Sequence, residues 1–158
     1  MTTTRINKQI YTAGLLNKKR KKELGIVSSI SLIKERPKKV GEEIVLPVNG
    51  DFDNRPERIL EILKLIDMEI ENGYTPLLVH CEKGHDRSPT IAALYLYYKG
   101  RFDDFDAAME FVRAKHRKIK PKKTFVKFIK EQVLPKLDED QSKTSTKGHA
   151  DRNRMLVP

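Results

Sequence analysis

The apolar run Leu77-Leu78-Val79 stops abruptly at eleven residues, His80-Cys81-Glu82-Lys83-Gly84-His85-Asp86-Arg87-Ser88-Pro89-Thr90, and is followed by the apolar stretch Ile91-Ala92-Ala93-Leu94. An apolar run of strand length, a polar connection holding a glycine and a second apolar stretch read as strand, tight loop and first turns of a helix. A buried strand that feeds directly into a helix belongs to alternating β and α elements, and such chains build a mostly parallel sheet covered on both faces.

The rest of the chain follows the same alternation. Gln9 to Thr12 reads as a short strand, and Asn17 as the N-cap of a helix that runs to Leu24 and stops at Gly25. Ile26 to Leu32, rich in β-branched residues, reads as a buried strand. Ile44-Val45-Leu46 is another, ended by Pro47. Pro56 opens a helix carrying Ile59, Leu60, Ile62, Leu63, Leu65, Ile66 and Ile70, which Asn72-Gly73 terminates. Helices are expected at about Ser88–Lys99, Asp103–Lys115 and Lys122–Lys136. The fold class is thus α/β, with a central, mostly parallel sheet of four to five strands between helices. At 158 residues the chain suits one domain, over residues 1–137. A polar tail of Ser, Thr, Lys and Asp, expected to be disordered, occupies 138–158.

The loop itself carries chemistry. Amides bent around an anion before a helix N-terminus point inward, and the helix end adds partial positive charge. Gly84 permits the bend, and the planar fork of Arg87 can hold two oxygens of an anion. The same field favours the thiolate of Cys81, the only cysteine of the chain. A single cysteine also excludes an intramolecular disulfide.

These residues resemble the His-Cys-x5-Arg-Ser loop of cysteine-dependent phosphatases. The continuation Arg87-Ser88-Pro89-Thr90 is most similar to the dual-specificity branch of that superfamily, and the element order from about Arg5 to Leu137 agrees with its compact domain. The resemblance implies hydrolysis of phosphate monoesters through a cysteinyl-phosphate, with Cys81 as nucleophile. Arg87 and the loop amides of Glu82, Lys83, Gly84, His85, Asp86 and Arg87 would hold the equatorial oxygens. His80 would orient the loop, and Ser88 would help expel the thiolate or cap the helix. The family's general acid comes from a loop about thirty residues before the cysteine. Asp51 is the preferred match and Asp53 the alternative. Asp86, unusual just before the arginine, is a further candidate acid whose plain alternative is a loop carboxylate facing solvent or pairing with Lys83 or a helix lysine. No metal and no cofactor is expected.

Charge bears on partners. The formal charge is +10. Residues 113–130 hold nine Lys or Arg and no acidic residue. Such a segment concentrates anionic partners. The favoured substrates are phosphorylated proteins, through phosphotyrosine and also phosphoserine or phosphothreonine. An RNA 5′-phosphatase or a phosphoinositide phosphatase on the same scaffold is the alternative, and a non-catalytic phosphate-binding module is a third reading. The run Lys18-Lys19-Arg20-Lys21-Lys22 reads as a solvated helix face, with a nuclear-import signal as the other reading. No apolar run reaches the length of a membrane span, and an intracellular, cytoplasmic location is expected.

Overall fold

The computed structural model describes residues 3–34, 40–48, 54–115 and 118–139. The candidate acids Asp51 and Asp53 and the tail from residue 140 lie outside the described residues.

Five strands form one sheet: β1 (Thr3–Arg5), β2 (Ile10–Ala13), β3 (Ser28–Ser31), β4 (Ile44–Val45) and β5 (Leu77–His80), in the order β1-β2-β5-β3-β4. Only β1 is antiparallel; β2, β5, β3 and β4 run parallel. The three-residue edge strand β1 is an addition to the sequence reading, because Thr3-Thr4-Arg5 offers no hydrophobic alternation. The helices are α1 (Lys18–Glu23), α2 (Pro56–Glu71), α3 (Arg87–Tyr98), α4 (Phe105–Lys115) and α5 (Lys123–Phe128). A π-helical stretch, Ile129–Val133, continues α5.

Local signals set the helix ends. The side chain of Asn17 accepts the N–H of Arg20 at 2.8 Å and so caps α1. Asp104 does the same for Ala107 before α4, at 2.7 Å. Pro56 fills the first turn of α2, where its missing N–H costs nothing.

Strand β5 sits at the centre and sorts the two faces. Leu77 and Val79 enter the main core with Ile59, Ile62, Leu63 and Ile66 of α2, with α3, and with Phe125 and Phe128 of α5. Leu78 instead packs with Ala13 and Leu16 on the opposite, thinner side, against Leu24 and Ile26 around the end of α1. The period of two that separates Val79 from Leu78 therefore sends His80 toward the α1 side, while Cys81 belongs to the main core. Ser31 is the register partner of His80, and Ser29 that of Leu78, so both serines share that side.

Helix α3 is buried almost all round, from Ser88 to Leu96. It runs under the sheet as an apolar rod. Its N-terminus is consequently held firmly at the carboxyl ends of the parallel strands, where ligands of open α/β sheets bind.

Candidate active site

The loop between β5 and α3 closes around the sulfur of Cys81. The N–H of Gly84 donates to Sγ at 3.3 Å, and Oγ of Ser88 lies 3.3 Å from it. Ser88 is fully buried, and its hydroxyl also reaches the carbonyl of Ala13 at 3.4 Å. Gly84 has φ 79°, a backbone state that strains any residue with a Cβ and turns its amide inward. Asp86 precedes α3 in the N-cap position, and its carbonyl accepts both the N–H and the hydroxyl of Thr90, at 3.2 and 2.7 Å.

Strand β2 supports the loop from below. The N–H of Cys81 donates to Ala13 at 3.2 Å, that of Leu15 to Glu82 at 3.4 Å, and Gly14 bridges Lys83. A Cβ on Gly14 would meet the carbonyl oxygen of Glu82 at 2.8 Å and backbone carbon of Lys83 at 3.0 Å. Only a glycine lets the two backbones approach this closely. Sequence reading passed over Gly14, since a glycine after a strand looks like any turn.

Cys81 is 2% exposed, yet it lines a hollow of ≈ 370 Å³ with Glu82, Lys83, His85, Asp86, Arg87, Lys120 and Lys122. The sulfur and the arginine thus share one cavity. Arg87 also borders a second hollow of ≈ 430 Å³ that includes Lys34, Val48, Asn54, Arg55 and Arg58. Its Nη1 donates to the carbonyl of Val48 at 2.9 Å, the last described residue before the segment that carries Asp51 and Asp53.

Lys120 and Lys122 reach the hollow because the chain from 118 to 122 is tied to the loop. The N–H of Lys120 donates to the carbonyl of His85 at 2.7 Å, and that of Lys122 to Oδ1 of Asp86 at 2.8 Å. The Asp86 carboxylate therefore accepts a backbone N–H, a partner that the sequence did not point to. The basic segment contributes two specific lysines to the site, beyond a diffuse field.

Behind the loop lies a polar cluster that the sequence did not disclose. Nε2 of His80 is 2.7 Å from Oε2 of Glu43, and Nδ1 is 3.1 Å from the carbonyl of Cys81. The same Oε2 takes Nζ of Lys21 at 2.9 Å and the hydroxyl of Ser29. Nζ of Lys21 also donates to the carbonyl of Val40 at 2.7 Å. Burial alone would raise the pKa of Glu43, but hydrogen bonds from His80, Ser29 and Lys21 outweigh it and hold the carboxyl down at about 2. Lys21 is therefore a buried member of the site, a correction to the reading of residues 18–22 as one solvated face: the side chain leaves its basic neighbours and turns inward. Glu43 had no visible signal, because its partners stand 14, 22 and 37 positions away.

The sequence profile of the dual specificity phosphatase catalytic domain matches residues 9–133. The chain belongs to that family. It is accordingly a cysteine-dependent phosphatase enzyme of the dual-specificity branch. Comparison with curated proteins gives no match. Among solved structures, PTPMT1 is similar with a TM-score of 0.74 at 17% identity, over 90% of this chain and 99% of that one. Human DUSP28 has a TM-score of 0.71 at 14% identity, over 89% and 95%. The PTP-2 phosphatase of Cydia pomonella has a TM-score of 0.70 at 21% identity, over 81% and 88%. At such identities the likeness establishes the shared fold: a five-stranded, mostly parallel sheet with flanking helices, as the alternation of strands and helices predicted.

Proposed function

We propose that this phosphatase acts on phosphorylated proteins, hydrolysing phosphotyrosine and also phosphoserine and phosphothreonine through a cysteinyl-phosphate. The observation that carries the proposal is the shared hollow of Cys81 and Arg87, floored by the inward amide of Gly84. In this reading the sulfur attacks phosphorus while Arg87 and the amides of residues 82–87 take the charge that spreads over the equatorial oxygens. Ser88, 3.3 Å from the sulfur, donates a hydrogen bond that stabilises the departing thiolate when water cleaves the intermediate, its proton staying on Oγ.

Asp51 is our choice of general acid, with Asp53 second. The bond from Arg87 to Val48 supports this choice, since it fastens the start of that segment to the phosphate-binding arginine. Asp86 is a weaker candidate, its carboxylate being engaged by Lys122.

A second reading, a phosphoinositide or RNA 5′-phosphatase, has one specific observation in its favour. Lys120 and Lys122 line the same hollow as the nucleophile and could receive a second phosphate. One substrate panel tests both readings, with phosphotyrosyl and phosphoseryl peptides, inositol lipids and triphosphate-ended RNA given to parent and C81S proteins. The protein-phosphatase reading expects turnover of phosphopeptides by the parent and binding without turnover by C81S. Hydrolysis confined to lipid or RNA, with binding that weakens steeply in salt for the RNA, would overturn it.

A further inference from the structure

Arg87 lines two cavities. One is the hollow it shares with Cys81; the other, of ≈ 430 Å³, brings it together with Lys34, Arg55 and Arg58. The floor of the second cavity is apolar and fixed. Leu32 and Val48 are 0% and 3% exposed. The N–H of Leu32 donates to the carbonyl of His80, and that of Val48 to the carbonyl of Leu32, both at 2.9 Å, so the backbone beyond β3 stays bonded on either side. The cavity therefore opens beyond the carboxyl ends of β3 and β5, beside the loop that bears Cys81.

Its wall is cationic. Arg55 and Arg58, three positions apart where α2 begins, lie on one side of that helix. None of the described lining residues is acidic. The acids on the first two turns of α2 do not line it: Glu61 holds Arg58 at 3.7 Å in a water-exposed pair, and Glu57 takes Lys136 at 3.3 Å. Lys34 and Arg55 form no ion pair among the described residues. Like charges gathered over an apolar floor repel one another, and a bound anion removes that repulsion.

We propose that this cavity is a second anion seat of the phosphatase, in which Lys34, Arg55 and Arg58 bind a negatively charged side chain of the substrate peptide close to its phosphoresidue. The inference rests on the reading of the substrate as a phosphorylated protein, and adds a sequence preference to it. Because Arg87 borders both cavities, a peptide whose phosphate lies at Cys81 reaches the second one with a nearby side chain; an extended chain advances about 3.3–3.6 Å per residue. Cys81 does not line this cavity, so the three cations govern selection and touch no reacting atom. The seat is also separate from the one that Lys120 and Lys122 line. Its ligand is a carboxylate or a second phosphate.

The test uses phosphotyrosyl peptides alike except that the flanking residues are Ala, Glu or a non-hydrolysable phosphonate mimic of phosphoserine. The parent should show a kcat/KM at least about fivefold higher for the Glu peptide than for the Ala peptide at low salt, carried by KM. The gap should narrow as salt rises. In R55A/R58A the ratio should fall toward unity, and in K34M part of the way. Each ratio compares two peptides on one protein, so a general loss of activity cancels. A further gain with the phosphonate assigns the seat to a second phosphate, and an equal one to carboxylates. Equal kcat/KM for all peptides on the parent overturns the proposal, as does loss of the preference in K120M with R55A/R58A unaffected. Should the double variant not fold, R55Q and K34M decide. Binding of the same peptides to C81S separates this inference from the phosphatase reading. Turnover without preference removes the inference alone. Glu-favoured binding to C81S that the R55A/R58A changes abolish, with no turnover by the parent, does the reverse. Peptides neither bound nor hydrolysed overturn both.

Discussion

Oδ1 of Asp86 accepts the backbone N–H of Lys122 at 2.8 Å, so the residue that precedes Arg87 also anchors the chain that brings two lysines to the cavity. Asp86→Asn keeps an acceptor at that place and should act nearly as the parent. Asp86→Ala loses it, which costs about 0.5–1.5 kcal/mol of local binding. The expected result is a KM raised several-fold for anionic substrates in D86A alone, with the rate toward poor leaving groups lost only in D51A or D53A. Loss of that rate in D86N, with D51A and D53A unaffected, would make Asp86 the acid.

Gly14 should tolerate no side chain. In G14A the Cβ at 2.8 Å from the Glu82 oxygen must displace strand or loop, a cost of about 1–3 kcal/mol. Because the loop that moves is the one bearing Cys81, the proposed nucleophile, kcat/KM should fall on the order of tenfold or more. Thermal denaturation and steady-state kinetics of the same sample check the two effects.

Ser88 should matter late in the cycle. If its hydroxyl serves the departing thiolate, S88A slows breakdown of the phosphoenzyme more than its formation, with kcat lower by roughly a hundredfold. Rapid mixing with an aryl phosphate should then show a burst equal to the enzyme concentration. A slow reaction without a burst would restrict Ser88 to a packing role.

The buried carboxylate of Glu43 ties stability to acid. Its folded pKa, about 2, lies below the ordinary 4.5, so its stabilising effect is present in full above about pH 4.5 and is lost as pH falls toward 2. Urea midpoints measured between pH 5 and 2.5 should fall more steeply for the parent than for E43Q. Equal slopes would mean that the Glu43 cluster is not maintained in solution.

Thiolate chemistry in a positive loop calls for no metal ion, so hydrolysis should survive excess EDTA. Activity that disappears with chelator and returns with a divalent cation would contradict the mechanism.

What the sequence disclosed was whatever depends on neighbours in the chain. Leu77 to Leu94 announced strand, loop and helix because apolar character changes there over a few residues, and Ile59, Ile62, Leu63 and Ile66 announced the buried side of α2 by their spacing. Cys81, Gly84, Arg87 and Ser88 stand within eight positions and needed no tertiary information. Glu43 and Lys21 could not be found that way. Each reads as an ordinary surface charge; the pairing of β3 with both β4 and β5 brings Ser29, Glu43 and His80 together, and Lys21 reaches the same Glu43 oxygen from α1. Gly14 was hidden likewise, since what excludes a side chain there is backbone almost seventy residues away.

The near-complete burial of Cys81 has a practical corollary. Approach runs through a cavity lined by Arg87 and three lysines against Glu82 and Asp86, a net positive wall, so small electrophiles will be sorted by sign before they are sorted by reactivity. Iodoacetate, though intrinsically no faster than its uncharged amide, should inactivate the protein more quickly, and added inorganic phosphate or moderate salt should erase the difference.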